Sequence, residues 1–184
     1  LIRKIVTSQT YRQSSSHKVD YASYDPDNVL VHRQNRKRVE AEIVRDLHLS
    51  VAGLLNPETG GESCFPPIPA DVASQSFANN FKWKVSMGND RYRRGMYTFF
   101  KRTAPAPNLM TFDCPDSNTS IIRRNVSNTP LMALTTLQNI VFHEASQALA
   151  RRIRDNPALT SDQQRVEHLF LLALSRQPSD RELQ

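Results

Sequence analysis

The chain has 184 residues, 39% of them hydrophobic and 23% charged, which is enough to bury one sizeable core. No apolar run reaches the ~20 residues of a membrane-spanning helix. The net charge of +6 permits an anionic partner without requiring one, and the two cysteines lie outside any CxxC or CxxCH spacing, which argues against a haem attachment site or zinc knuckle.

Leu1 leads straight into the helical pattern Ile2, Ile5, Val6, so a first helix is expected near 1–12. With no secretory leader ahead of it, the sequence is expected to be a piece of a longer chain. Asp25-Pro26 reads as an N-cap followed by proline at the first helical position, and predicts a long helix over 26–55. Its apolar stripe would be Val39, Ile43, Leu47, Val51 and Leu54, with Gly53 near its end and Asn56-Pro57 closing it. Residues 56–90 are predicted as loop, containing G-G, P-P-I-P and a Ser/Ala/Asn-rich tail. Within that loop Phe81-Lys-Trp-Lys-Val85 alternates ring and cation in the manner of a short strand.

D-R-Y-R-R-G-M-Y-T-F-F-K-R-T, Asp90 to Thr103, interleaves cations with rings. Placed on a helix over 91–103, Tyr92, Met96, Phe99, Phe100 and Thr103 gather on one side, and Arg94, Thr98 and Lys101 lie opposite. A stacking platform for nucleic acid needs exposed rings beside cations. A core-facing side gains ~1.5–3 kcal/mol per large side chain buried, which favours a packed amphipathic helix. A second loop, 104–128, carries F-D-C-P-D, and Thr129-Pro130 starts the strongest helix, 129–155. Leu131, Leu134, Val141, Ala145, Ala148 and Leu149 form its apolar side, and Arg151, Arg152 and Arg154 suit its negative C-terminal end. Ser161-x-x-Gln164 caps a helix over 161–176 with an inner face of Val166, Leu169, Phe170 and Ala173, and Ser179-x-x-Glu182 repeats the signal. The fold class is mainly α: a single helical domain over 1–184 with two long irregular loops and at most a short strand pair.

Chemistry-bearing motifs are sparse. The five histidines show no HxxxH pair, so no metal site is expected. There is no G-x-S-x-G elbow, and Gly60-Gly61 reads as a turn. In R-K-R-V-E-A-E-I-V-R-D, residues 36–46, Glu42 can sit between Arg38 and Arg45 on a solvated or partly buried ridge. Asp113 with Asp116, or Glu42 with Asp46, are the carboxylates available for acid–base work, although Asp113 equally suits a turn cap.

Read together, T-S-Q-T-Y-R-Q-S-S (7–15), D-P-D-N (25–28), R-K-R-V-E-A-E-I-V-R-D (36–46) and S-V-A-G-L-L (50–55) open an ordered series. G-G-E-S (60–63), D-R-Y-R-R-G-M-Y-T-F-F-K-R-T (90–103), F-D-C-P-D (112–116), T-P-L-M-A-L-T-T-L-Q-N (129–139) and S-R-Q-P-S-D-R-E-L (175–183) complete it. The series resembles the planctomycete-specific domain found near the C-terminus of large exported bacterial proteins. The resemblance implies an extracytoplasmic setting, upstream domains of the same protein as partners, and haem c in such an upstream domain, with no cofactor in this chain. It supplies no catalytic residue. The family pattern usually reads F-D-A-P-D where this chain has Cys114, and commonly has another residue at Cys64. These departures, in an oxidising compartment, motivate an expected Cys64–Cys114 disulfide tying the two loops together.

The function expected is a helical extracytoplasmic module that docks to partner domains and binds a carbohydrate-like substrate such as a polysaccharide. Arg45, Asp46, Arg93, Arg94, Tyr97, Arg102 and Asp113 would line its polar surface. The alternative is a redox-coupled enzyme domain acting on carbohydrate, with Asp46 or Asp113 as base and a site shared with the upstream domain. Anion or nucleic-acid binding by charge alone carries less weight, since an exported protein seldom meets nucleic acid.

Overall fold

A computed structural model describes residues 1–17, 19–74 and 81–183. These fall into two compact units, 1–38 and 39–184. Among the described residues the chain is helical and forms no sheet, the only strand-like pairings being two isolated parallel bridges, Asn56 with Arg93 and Cys64 with Thr98.

The first unit holds two short helices, α1 (Ile2–Val6) and α2 (Val19–Ala22). The first helix is shorter than the expected 1–12, and Asp25-Pro26 starts no helix at all. The Asp25 carboxylate accepts from the amides of Val29 (2.8 Å) and Leu30 (2.9 Å), four and five residues on. An N-cap would bind the amides two or three residues on. Asn28, at φ 55°, then turns the backbone left-handed, and a loop replaces the helix.

The second unit is built on α3 (Ala41–Ala52), α4 (Ala70–Ser74), α5 (Pro107–Thr111), α6 (Pro130–Gln138), α7 (Ile140–Arg154), α8 (Asp162–Leu174) and α9 (Asp180–Leu183). The helix expected over 26–55 is thus confined to 41–52, in its second half. Gly53 ends it as expected, at φ 75° and donating to the carbonyls of Leu49 and Ser50. Its inner face differs from the expected stripe. Ala41, Val44, Arg45, Leu49 and Ala52 are buried, while Val39, Ile43 and Leu47 are exposed. Helix α7 packs against this inner face, and the small side chains of Ala41 and Ala52 fit a close approach.

The helix expected over 129–155 is two helices. Asn139 ends α6 and caps α7, its side chain accepting from the Val141 amide at 2.9 Å. Helix α8 carries the expected Ser161–Gln164 capping box, and its face of Val166, Leu169 and Phe170 is half-buried, with Ala173 exposed. The core gathers Val44, Leu109, Phe112, Met132 and Phe142, with Trp83 and Phe100 packed against it. Full burial of each such large side chain contributes about 1.5–3 kcal/mol.

The two expected loops each contain a short helix, α4 and α5. Residues 81–85 form no strand, and the Ser/Ala/Asn-rich tail at 75–80 lies outside the described residues. Phe65, Phe81, Trp83 and Phe99 instead make one aromatic cluster, with Phe65 and Phe99 stacked at 4.8 Å and Phe81 and Phe99 at 5.2 Å. Trp83 Nε1 donates to the Pro66 carbonyl at 2.8 Å, which satisfies its buried polar end.

Candidate functional site

The central stretch does not form the expected helix over 91–103. Two 3-10 turns, Gly88–Tyr92 and Gly95–Tyr97, flank extended Arg93 and Arg94, and the chain is extended again from Thr98. Its apolar side chains divide accordingly. Phe99 joins the aromatic cluster, Phe100 the core, and Met96 is exposed. The backbone groups that a helix would satisfy internally pair with residues 56–64 instead. Asn56 N donates to Tyr92 O (3.0 Å), Cys64 N to Tyr97 O (2.7 Å) and Phe99 N to Cys64 O (2.8 Å).

Helix α3 supplies the other anchors. Arg45, buried on its inner face, donates from Nε to the Arg93 carbonyl (3.3 Å) and from Nη2 to the Arg91 carbonyl (2.7 Å). Burial pulls its pKa below the ordinary guanidinium value, against the opposing pull of Cys64 and Asp46. One residue on, the Asp46 carboxylate accepts from Gly95 N (2.5 Å) and Arg94 Nε (3.3 Å). Gly95 is required by this contact. A Cβ there would lie 2.5 Å from the Glu42 carbonyl oxygen and 2.7 Å from its Cα, both fixed helix backbone.

Arg93 is buried and donates from Nη1 to the Glu62 carbonyl and from Nη2 to the Gly60 carbonyl. Its guanidinium lies 4.0 Å over the Tyr97 ring, and the Tyr97 hydroxyl accepts from Gly60 N at 2.8 Å. From the other side Arg91 makes a bidentate pair with Glu144 of α7, which raises the Arg91 pKa through that hydrogen bond.

The expected polar surface is therefore mostly an internal framework. Arg45, Asp46, Arg93, Arg94 and Tyr97 come together, but they bind one another's backbone and the 60–64 loop. Arg102 is exposed and apart from them in these contacts. Asp113, at φ 62°, accepts from the amide and hydroxyl of Ser127 (both 2.8 Å) and so closes its own loop. No disulfide joins Cys64 and Cys114. Both are free thiols, Cys64 being buried against Thr98, and Cys114 donating to Glu42 at 3.8 Å.

Glu42 was expected between Arg38 and Arg45 on the helix. Its carboxylate instead takes a bidentate pair from Arg124, at 2.7 and 3.2 Å, across 82 residues of sequence. This pair, with Gly95, Thr98, Cys114 and Ser117, frames a polar cleft of about 260 Å³. Burial pushes the Glu42 pKa up, but the Arg124 bonds and charge outweigh it and hold the carboxyl below its ordinary value of 4.5. Burial, followed by the neighbouring Glu42 charge, pushes the Cys114 thiol up to about 11, so it is protonated and unreactive at neutral pH. Among the described residues no group of three or more His, Cys, Asp or Glu side chains is placed to hold a metal ion.

A family profile, PSD1, protein of unknown function (DUF1553), matches residues 1–184. The chain belongs to this family. No curated protein and no solved structure matches it. In this PSD1 chain, sequence reasoning missed Arg91, Arg124 and Glu144, whose partners lie 53 and 82 residues away with no local signal. Gly95 carried a signal, as a lone glycine inside a helical pattern costs about 1 kcal/mol against alanine and so weakens the case for a helix there. No helix among the described residues is long and apolar enough to cross a membrane.

Proposed function

We propose that this chain is a docking module, whose own polar residues fix its loops and whose apolar groove receives a partner domain. The observation carrying this reading is the groove of about 510 Å³ between the P-P-I-P turn, α5, α6 and the start of α7. Leu131 and Leu134 line it while remaining 57% and 46% exposed, and Ile140 continues it. Contiguous exposed apolar surface of this kind marks protein interaction sites. The partner implied by the resemblance is an upstream domain of the same polypeptide in an extracytoplasmic setting.

Carbohydrate binding and a carbohydrate-directed redox step find less support. Arg93 and Tyr97 hold the 60–64 loop, and Asp46 and Asp113, named as bases, already accept from backbone amides. Hydrogen exchange tests the docking reading. The amides of Met132–Gln138 are expected to exchange more slowly in a longer polypeptide carrying the upstream domain than in residues 1–184 alone. Equal rates in the two would overturn it.

A further inference from the structure

A second and independent surface lies in residues 1–38, where the usual arrangement of a folded unit is inverted. Among the described residues of this unit the only buried ones are Asp25 and Asn28, both polar. Large apolar side chains lie outside: Ile2, Ile5, Val19, Tyr24, Val29 and Leu30 are all exposed. With no apolar side chain buried among its described residues, the unit lacks the hydrophobic gain that ordinarily offsets the entropy of ordering a chain, and a covering surface would supply that gain.

The loop from Asp25 to Asn35 concentrates the feature. The Asp25 carboxylate holds the Val29 and Leu30 amides at 2.8 and 2.9 Å. The Asn28 amide nitrogen donates to the Arg33 carbonyl (2.8 Å) and Asn35 Oδ1 (2.9 Å), while its oxygen accepts from Arg33 N (3.2 Å). These polar groups form the inside of the turn and push Val-Leu-Val to its tip, with Val29 77% and Leu30 64% exposed. Val31 sits at φ 55°, a conformation that β-branched residues avoid and that persists only when surrounding bonds impose it. The tip is thus held rigidly in one shape, as preorganised binding elements are.

Charge indicates what the tip meets. Residues 1–38 contain eight Lys and Arg against three Asp, so the unit carries a net five of the chain's six positive charges. Arg33, Arg36, Lys37 and Arg38 directly follow the tip. The bonds of Arg33 and Arg36 run to neutral atoms, Asn35 Oδ1, the Pro26 carbonyl and Ser15 Oγ. A complementary surface is apolar at its centre and carboxylate-bearing at its rim. A lipid bilayer accepts any apolar shape and gives no reason for a strained, internally bonded tip; a pocket on a protein does.

We propose that the Asp25–Asn35 loop is a knob that inserts Val29, Leu30 and Val31 into an apolar pocket, rimmed by Asp and Glu, on another protein. Site-specific photo-crosslinking in the producing cell tests this, with p-benzoylphenylalanine placed at Leu30 in the full chain and, as a control, at Gln163. Mass spectrometry of the adduct is expected to return one peptide of another protein, apolar and flanked by carboxylates, from the Leu30 position only. Asn28→Ala, which loosens the turn without altering the tip, is expected to cut the yield at least tenfold while leaving the thermal melt of the chain in place. Four results would overturn the proposal: adducts with lipid, adducts with a second copy, adducts within residues 39–184, or many unrelated peptides. Flotation of the purified chain with vesicles of 70% phosphatidylcholine and 30% phosphatidylglycerol gives the lipid arm directly, and binding there also overturns it. The α6 exchange experiment is read elsewhere in the chain, so either result can fail alone.

Discussion

Arg93 lies 4.0 Å over the ring of Tyr97, and the two side chains grip the same residue, Gly60, from its carbonyl and its amide. The G-G-E-S loop is held by this clasp. Arg93→Lys keeps the charge but loses the planar fork, and is expected to cost about 2 kcal/mol in urea unfolding. Tyr97→Phe, which removes only the acceptor for Gly60 N, is expected to cost about 1 kcal/mol. If both variants unfold at the wild-type midpoint, the clasp contributes nothing.

Gly95→Ala places a methyl group 2.5 Å from the Glu42 carbonyl oxygen, on helix backbone that cannot swing aside. A loss of about 3 kcal/mol is expected, at the upper end of overpacking costs. Gly88→Ala is the contrast: nothing lies within 4 Å of its Cβ, so its cost comes from its φ of 59° alone, about 1 kcal/mol.

The Glu42–Arg124 pair predicts a specific acid limb. The folded carboxyl has a pKa below its ordinary 4.5, so its contribution is fully present above that value. As pH falls the unfolded carboxylate takes up its proton first, and the contribution is lost as pH drops through the folded pKa. The difference in urea midpoint between wild type and Glu42→Gln should therefore be constant above about pH 5.5 and shrink below about pH 4.5. A difference that grows on acidification would contradict the pairing.

The thiols offer a direct reading of burial. Cys64 is 1% exposed, and Cys114 is held protonated by burial and Glu42. At pH 7.5 neither should react readily with Ellman's reagent in the folded chain, and two thiols should appear on unfolding without reductant. One or none would indicate a bond that the structure lacks.

What was legible in the sequence follows from the range over which each feature is determined. The Ser161–Gln164 capping box and the Gly53 helix end are set by residues within one turn, and both stand where the sequence puts them. The mainly helical class rests on the periodicity of long segments and holds equally. Asp25-Pro26 carries a valid helix-start pattern, but Asn28 bonds across to Arg33 and Asn35 and diverts the chain. On α3 the larger side chains Ile43 and Leu47 drew attention to the wrong face. Ala41 and Ala52 marked the right one, because a helix packs closely where its side chains are small. Arg45, Asp46, Arg93, Arg94 and Tyr97 do lie near one another, yet the partners of Arg45, Asp46 and Arg93 are mainly backbone atoms 31 to 49 residues away. Composition shows donors and acceptors but not what they meet.

The segment from Arg91 to Thr98 has consequences for the order of folding. Its own bonds are local, the Tyr97 and Thr98 amides to the Arg94 and Gly95 carbonyls and Arg93 over the Tyr97 ring, and the contacts that anchor it lie on α3, in the 56–64 loop and on α7. Closing those long connections is unfavourable until the helices that carry the anchors have met. The segment should consequently set last, as mortar between stones already laid, and loosen first. Amide exchange at Arg93–Thr98 is expected to begin through partial openings well below the free energy of global unfolding, while Leu49 and Val141 exchange only with the whole chain.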